Sequence, residues 1–329
     1  QFSHCIVPWV VEREFSGRLI YAGGDDLLCI VPADEALDLT ARLQQLFSAA
    51  WVVDTGAPKD LDQWAWRRRD WQGTYDQTAA RGRFVIPLPG EGGDSAIRLC
   101  RDGQRVAAHP ADAALLPDSM RVDGRLLPML GRAASLSAGI AIAHYKTPLS
   151  VLLRRSRELL DLAKEPYRDN EAPPHVAWRG RRGLALGHAS RGGEKTRFAL
   201  PWSSGEAGAI DAQRNLKLLA QAFGEGRLPG RLPYKLRELA LTARCALERV
   251  AEQNQSADAH AQAHKMLLGG LLRQCLEGDG SEEIFAAALS IWQQGIDLAC
   301  GDEGRYTDGL LLCRQLGRGE SGADDEGDQ

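Results

Sequence analysis

The segment Gly17–Pro32 constrains the fold of this chain more than any other. Two short apolar runs, Leu19–Ala22 and Leu27–Val31, flank the tetrapeptide Gly23-Gly24-Asp25-Asp26. A tight turn between strands requires positive φ angles, which glycine adopts without strain, so the segment predicts a β-hairpin with the tetrapeptide at its tip. Because both runs are continuously apolar rather than alternating, we expect each strand to be covered on both faces.

Two adjacent carboxylates, Asp25 and Asp26, are therefore predicted at the tip of this hairpin. Carboxylate pairs are ligands with which proteins hold Mg²⁺ and a nucleoside triphosphate. The alternative is a solvated turn that carries two aspartates, because turn geometry by itself favours Gly and Asp. The tetrapeptide alone leaves both interpretations open.

Composition limits the function classes. A chain of 329 residues has room for about two domains. The net charge of −4 and the pI near 6.0 exclude a protein whose whole surface binds nucleic acid. The seven cysteines form no Cys-x-x-Cys pair, which favours reduced thiols in the cytosol and no zinc site. The chain begins with Gln1 inside an apolar pattern, which is typical of a truncated start.

Helical periodicity surrounds the hairpin. Apolar residues at helical spacing predict a helix from Phe2 to about Glu14, kinked or begun at Pro8. A second apolar stripe predicts a helix that starts near Asp34 and runs to about Trp51. The hairpin should therefore lie between two helices.

Residues 52–134 have poor periodicity and many Gly, Pro and Asp residues, which indicates an insertion. We expect one hairpin in it, formed by Arg83–Ile86 and Ala96–Leu99. Four aromatic residues between Trp64 and Tyr75 are interleaved with Arg67, Arg68 and Arg69, a composition that can stack on single-stranded bases. A protein interface is the alternative, because Trp and Arg are also enriched there.

Regular structure returns at Ser137–His144, which predicts a buried strand, followed by a helix capped by Thr147 and ending at Lys164. Short apolar pieces between 175 and 202, separated by arginines, indicate a basic β-hairpin region. From about Glu206 the chain is predicted to be helical, near 207–223, 233–253, 259–277, 282–299 and 308–315. His260 and His264 are one helical turn apart, but a solvated helix face explains them better than zinc. The tail from Gly317 is acidic and Gly-rich, which predicts disorder.

Several motifs resemble the palm domain of the nucleotidyl-cyclase superfamily. There, a Gly-Gly-Asp/Glu hairpin is followed by a Ser-x-Gly-Ile-Ala strand and a helix ending in Ala-Lys; this chain has the hairpin, Ser137–Ala141 and Ala163-Lys164. The chain is more similar to the large palm-bearing subunit of type III-B CRISPR effector complexes, the Cmr type. That similarity extends from residue 1 to about 319 and is most specific in Leu19–Asp26 and Gly139–Leu149. Diguanylate cyclases fit less well, since they have Glu and Phe in place of Asp26 and Leu27.

The resemblance implies an α+β fold. It predicts a ferredoxin-like palm of the nucleotidyl-cyclase type over residues 1–205, with the insertion at about 52–134, an all-α C-terminal domain over 206–319 and an acidic tail over 320–329. Family members have a further palm strand with a metal-binding Asp before the first helix, and nothing precedes that helix here. They also often carry an N-terminal His-Asp nuclease domain, and no His-Asp dipeptide occurs here. The chain is therefore expected to be the C-terminal portion of a larger subunit.

The resemblance also implies a function, which is synthesis of cyclic oligoadenylate from ATP when a guide-loaded complex binds target RNA. Asp25 and Asp26 would be catalytic and would hold two Mg²⁺ or Mn²⁺ ions, while Gly23, Gly24 and Lys164 would bind the nucleotide. The implied partners are the other subunits of a cytoplasmic type III-B ribonucleoprotein, with CRISPR RNA and target RNA reached through the complex, and the isolated chain is expected to be inactive. A stand-alone cyclic-dinucleotide synthase and a non-catalytic nucleotide- or RNA-binding scaffold are the alternatives.

Overall fold

A computed structural model describes residues 1–24, 26–49, 51–54, 83–85, 98–101, 104–107, 122–123, 125–131, 134–164, 183–189, 195–202, 211–239, 266–274, 282–298 and 306–321. The chain divides into two compact units, Gln1–Leu136 and Ser137–Gln329. Within the described ranges no helix has the length and apolar character needed to cross a membrane. Asp25, the Trp/Arg-rich stretch over 64–75, and both His260 and His264 lie outside the described residues.

The first unit begins with a helix, α1, made of three consecutive pieces, Phe2–Ile6, Val7–Trp9 and Val10–Glu14. The outer two pieces have wide π-helical hydrogen bonding, and the central piece is α-helical with Pro8 in it. Proline has no amide hydrogen to donate to a preceding carbonyl, which accounts for irregular bonding around this position. The predicted helix and its end at Glu14 are thus confirmed, with a change of helical type in place of a simple kink.

The hairpin follows as β1, Arg18–Gly23, and β2, Asp26–Ile30, in an antiparallel pair. The next helix, α2, spans Ala36–Ser48. The predicted end of α2 at Trp51 is wrong, because Ala49 is extended and Trp51 begins strand β3, Trp51–Asp54. An aromatic residue followed by two valines favours a strand, and this local preference ends the helix early.

The prediction that both hairpin faces are covered is also wrong. Leu19 and Cys29 form one cross-strand pair and Ala22 and Leu27 another, and these four residues pack against the core of the unit. The opposite face is open, with Ile20 52%, Tyr21 56% and Ile30 49% exposed. The continuous apolar run suggested two buried faces because alternation of exposure cannot be read from residue type when every residue is apolar.

The core of the first unit lies between α1, α2 and the strands of the insertion. Its fully buried members are Ile6, Val7, Val10, Val11, Leu39, Leu43, Leu46, Val52, Phe84 and Leu127. Arg42 is buried among them. Its Nε donates to Glu14 Oε2 at 2.9 Å, and its Nη2 donates to the carbonyl of Phe84 at 2.6 Å. One guanidinium therefore joins α1, α2 and the insertion.

The insertion contains short strands in two sheets, and the hairpin predicted from Arg83–Ile86 and Ala96–Leu99 is not formed. Strand β4, Phe84–Val85, pairs with β3, and β3 also pairs with β8, Arg125–Pro128. Strand β5, Arg98–Arg101, instead pairs with β6, Gln104–Ala107, and with β7, Val122–Asp123. The residues between β5 and β6 are Asp102-Gly103, a dipeptide that strongly favours a two-residue hairpin loop and so selects this partner.

The second unit starts with a βαβ crossover. Strand β9, Ala138–Ile142, leads into helix α3, Leu149–Lys164, and then into β10, Gly183–Ala189, which runs parallel to β9. Strand β11, Lys195–Pro201, pairs antiparallel with β10, which confirms the predicted hairpin there. Gly139 makes this packing possible, because a Cβ on it would lie only 2.4 Å from the amide nitrogen of Leu160.

The other regular elements described in the second unit are helices. They are α4, Asp211–Gly224; α5, residues 232–239; α6, residues 266–274; α7, Glu282–Leu298; and α8, Asp308–Ser321. The prediction that disorder begins at Gly317 is wrong, because α8 continues through that residue. A Cβ on Gly317 would meet the carbonyl oxygen of Ala220 at 2.1 Å, so the two helix backbones touch and the glycine permits this contact.

Helices α7 and α8 pack directly on the β10–β11 hairpin. Asp308 Oδ2 accepts the amide hydrogen of Arg197 at 3.1 Å, and Phe198 lies against Gly295 and Gly309. The division into units falls at residue 136, whereas the predicted boundary between palm and helical domain falls at 205. The fold is mixed α and β, with small sheets and several helices. The ferredoxin-like arrangement of a single palm, the all-α C-terminal domain and the predicted domain boundaries remain predictions.

Candidate active site

The hairpin tip is built around Gly23, Gly24 and Asp26. Gly23 and Asp26 face each other as the last pair of the ladder, which leaves a two-residue loop. Gly24 has φ +61°, a left-handed conformation that favours glycine. Asp26 is exposed at the first position of β2, and within the described residues its carboxylate has no hydrogen-bonding or ionic partner. Its oxygens are therefore available to a ligand.

Helix α1 holds the tip from one side. The hydroxyl of Ser3 donates to the carbonyl of Gly24 at 2.9 Å, which joins the first turn of the helix to the loop. The ring of Phe2 packs edge-on against Phe47 of α2 at 5.0 Å between centroids. The beginning of the chain described here therefore fixes the tip, although Ser3 carried no pattern that would predict this role.

The base of the hairpin is held by two glutamates. Glu12 Oε1 accepts the amide hydrogen of Leu19 at 3.2 Å, and Glu35 accepts hydrogen bonds from the amide and the hydroxyl of Ser16 at 2.7 and 3.2 Å. The amide of Gly17 donates to the carbonyl of Val11 at 2.9 Å. These bonds fix the direction of the hairpin relative to the neighbouring helices. A fixed direction is needed to hold the carboxylate of Asp26 in position at the tip.

Tyr21 is a site residue that sequence reasoning did not identify. A β-bulge between Leu19 and Tyr21 leaves Ile20 without a cross-strand partner. The side chains of Ile20 and Tyr21 are both exposed. The Tyr21 hydroxyl lies close to Gly23, since a Cβ there would be 2.5 Å from Oη. Bulges are common beside active sites, where they redirect a side chain. The only signal in the sequence is the spacing of two between Tyr21 and Gly23.

Cys29 lies on the covered face of the hairpin. Burial raises the pKa of its thiol to about 11, so the group stays protonated and unreactive at neutral pH. This agrees with a structural role on the core side of β2. Asp26, by contrast, is exposed to solvent at the start of the same strand.

The predicted site residues fall into both units. Gly23, Gly24 and Asp26 come together at the tip in the first unit, Asp25 lies outside the described residues, and Lys164 ends α3 in the second unit. Within the described ranges no group of three or more His, Cys, Asp or Glu side chains could hold a metal ion. The described part of the chain thus supplies one free carboxylate to the predicted metal pair.

A hairpin with a Gly-Gly-Asp-Asp tip, packed between two helices, is the arrangement expected of a palm domain with nucleotidyl-cyclase character. Residues 1–60, which contain α1, the hairpin and α2, match the family model of the Cas10/Cmr2 second palm domain. Over these residues the match confirms the resemblance to palm-bearing subunits of type III CRISPR complexes. No curated protein matches the chain.

Proposed function

We propose that this chain carries the nucleotide-cyclising palm of a type III CRISPR subunit. In this proposal, binding of target RNA to the guide-loaded complex triggers synthesis of cyclic oligoadenylate from ATP. The 3′-hydroxyl oxygen of one ATP attacks the α-phosphorus of another, a new phosphodiester bond forms, pyrophosphate leaves, and the hydroxyl proton passes to solvent. The observation that supports the proposal most strongly is the family match over residues 1–60, which includes the whole hairpin and both flanking helices.

The donor set of the tip fits divalent metal ions in type, although the described part is incomplete. Asp26 offers hard oxygen donors, is exposed and has no partner among the described residues. Asp25 would supply the second carboxylate, and any further ligand would come from outside the described residues. Two bound Mg²⁺ or Mn²⁺ ions would lower the pKa of the attacking hydroxyl and balance the charge of the leaving pyrophosphate.

The chain's own residues bind and orient in this proposal. Gly23 and Gly24 would bind the nucleotide through their backbone. The space beside Gly24 is open, so a nucleotide can approach closely there, whereas the Tyr21 hydroxyl lies beside Gly23. Ser3, Glu12 and Glu35 hold the hairpin so that the carboxylates do not have to be ordered at the moment of reaction, which is the advantage of a preorganised site. Lys164 would neutralise phosphate charge.

The test is product analysis in the assembled complex with target RNA, ATP and Mg²⁺. The double substitution Asp25→Ala and Asp26→Ala should lower the rate of cyclic product formation by at least about 100-fold, because metal ligands act directly on the transition state. Asp34→Ala, an exposed aspartate eight residues beyond Asp26, is the matched control and should leave the rate unchanged. Cyclic oligoadenylate formed at the parental rate by the double variant would refute the proposal.

A non-catalytic scaffold is the alternative to the catalytic proposal. It predicts nucleotide or RNA binding without any metal-dependent turnover in the complex. A cyclic dinucleotide as the product, made by the chain without partners, would instead point to a stand-alone synthase. Chromatography of the products formed from ATP and from GTP distinguishes all three.

A further inference from the structure

The loop between β9 and α3 carries an exposed group of aromatic and cationic side chains. Strand β9 ends at Ile142 and α3 begins at Leu149. Between them the rings of His144 and Tyr145 lie 4.4 Å apart at a tilt of 34°, and the Lys146 Nζ lies 5.3 Å from the centroid of the Tyr145 ring. We call His144, Tyr145 and Lys146 the aromatic–cationic loop.

The backbone holds this loop in place. The amide of Lys146 donates to His144 Nδ1 at 3.2 Å, and the amide of Thr147 donates to the His144 carbonyl at 2.8 Å. The loop backbone and the His144 ring are therefore held in place before any ligand arrives, which lowers the entropic cost of binding.

The Tyr145 ring is open to a partner. It is 83% exposed, and its neighbour Leu149 is 50% exposed. Within the described residues the Tyr145 hydroxyl has no hydrogen-bond partner. A largely exposed aromatic ring offers a surface on which another planar group can stack.

The charge around the loop is positive. No Asp or Glu occurs between Ser137 and Arg157, and the first acid that follows, Glu158, is paired with the buried Arg155. Arg154 and Arg157 are exposed and have no ionic partner among the described residues. They lie within about 12 Å of the start of α3 along the helix axis, at 1.5 Å per residue.

From these observations we propose that the aromatic–cationic loop binds a single-stranded nucleic acid. A base stacks on Tyr145, while Lys146 and the two free arginines of α3 contact phosphates. Stacking rings beside cations are the combination with which proteins hold single strands, and a segment without acidic residues from Ser137 to Arg157 complements a polyanion. A protein partner is the alternative, because exposed aromatic and cationic residues also occur in protein interfaces; the nucleic acid is favoured by the three cationic side chains and the lack of acidic residues from Ser137 to Arg157.

The aromatic–cationic loop precedes the first residue of α3 and Lys164 is the last residue of that helix, with Leu149 and Lys164 about 22 Å apart along the helix axis at 1.5 Å per residue. The proposal rests on base stacking and phosphate contacts, and it uses neither of the aspartates expected to hold metal ions. An Asp25→Ala and Asp26→Ala variant should bind single strands as the parent does, so failure of one proposal leaves the other untouched.

The test is fluorescence anisotropy of the full 329-residue chain with labelled RNA and DNA single strands of about 15 nucleotides. Tyr145→Ala should weaken binding by about 5- to 150-fold, and Tyr145→Phe should restore it because the ring remains. Lys146→Ala should reduce the slope of log K against log salt by about 0.7. If RNA binds more tightly than DNA, the ligand of the loop is single-stranded RNA. Equal affinities would mean that the loop binds single-stranded RNA and DNA alike.

The matched control is Tyr234→Ala, which removes another exposed tyrosine of the same unit that has an arginine, Arg314, 5.7 Å from its ring. This control should bind as the parent does, and all variants should melt at the parental temperature since the rings are exposed. Photocrosslinking with thiouridine RNA should label the peptide that contains Tyr145. The proposal is overturned if Tyr145→Ala binds single strands as tightly as the parent, or if Tyr234→Ala weakens binding by the same factor. It is also overturned if the RNA crosslinks only to peptides that lack Tyr145. A Tyr145→Ala defect confined to binding of neighbouring protein subunits would overturn it as well.

Discussion

The buried ion pair between Arg42 and Glu14 should decide the stability of the first unit, and with it the position of the hairpin. Both side chains are almost completely buried, at 0% and 1% exposure. Glu14→Ala would leave a buried guanidinium with only the carbonyl of Phe84 as a partner. Removing one member of a buried pair typically costs about 3–5 kcal/mol. That is a large part of the roughly 5–15 kcal/mol by which a domain is stable.

Hydrogen exchange followed by mass spectrometry measures this loss in each unit separately. Peptides from residues 1–48 should exchange between two and four orders of magnitude faster, at about 1.4 kcal/mol per factor of ten. Peptides from residues 211–239 of the other unit should not change, which makes them an internal reference. The amides of the hairpin should follow α1, because Ser3 and Val11 of that helix bond to Gly24 and Gly17.

A double variant distinguishes the effect of losing the whole ion pair from the effect of leaving one buried charge unpaired. Glu14→Leu with Arg42→Met removes both charges and leaves only the Phe84 carbonyl without its donor, at a cost of about 1–3 kcal/mol. It should therefore be more stable than Glu14→Ala alone. Arg214→Ala is the control, since its pair with Glu283 is exposed on both sides and should contribute about 0–1 kcal/mol. A loss below 1 kcal/mol for Glu14→Ala, or a double variant as unstable as the single one, would refute this reasoning.

Three further outcomes can be measured by denaturant titration. Gly317→Ala should destabilise the second unit by about 1–3 kcal/mol, because its Cβ would collide with the Ala220 carbonyl; Gly270→Ala, on a helix with open space around it, should instead stabilise by about 0.5–1 kcal/mol. Asp308→Asn should cost more than 1 kcal/mol, because the buried carboxylate accepts a backbone amide and pairs with an arginine; an unchanged midpoint would contradict this. Burial lowers the pKa of His188, so the unfolded chain binds its proton more readily and stability should fall as the pH drops below about 6.5. His188→Gln should flatten that dependence, and an identical pH profile for both proteins would show that another group is responsible.

Much of the candidate site follows from local sequence. The glycines and flanking apolar runs of Gly17–Pro32 specify a hairpin because only glycine enters the left-handed turn at no steric cost, and the observed ladder places Gly23 opposite Asp26. The helices α1, α3, α4 and α7 follow from 3.6-residue periodicity in the same way, and β9 and the β10–β11 pair from their short apolar runs. The resemblance carried by the hairpin motif is confirmed over residues 1–60.

Other features depend on contacts between residues far apart in the chain. No local pattern predicts that Ser3 binds the Gly24 carbonyl, that Arg42 reaches Phe84, or that Gly317 allows two backbones to touch. The open face of the hairpin is a result of the same kind, because an apolar run has the same composition whether one face or both are covered. Burial and pairing are properties of the packed chain, and sequence periodicity determines them only where polar residues mark the outer face.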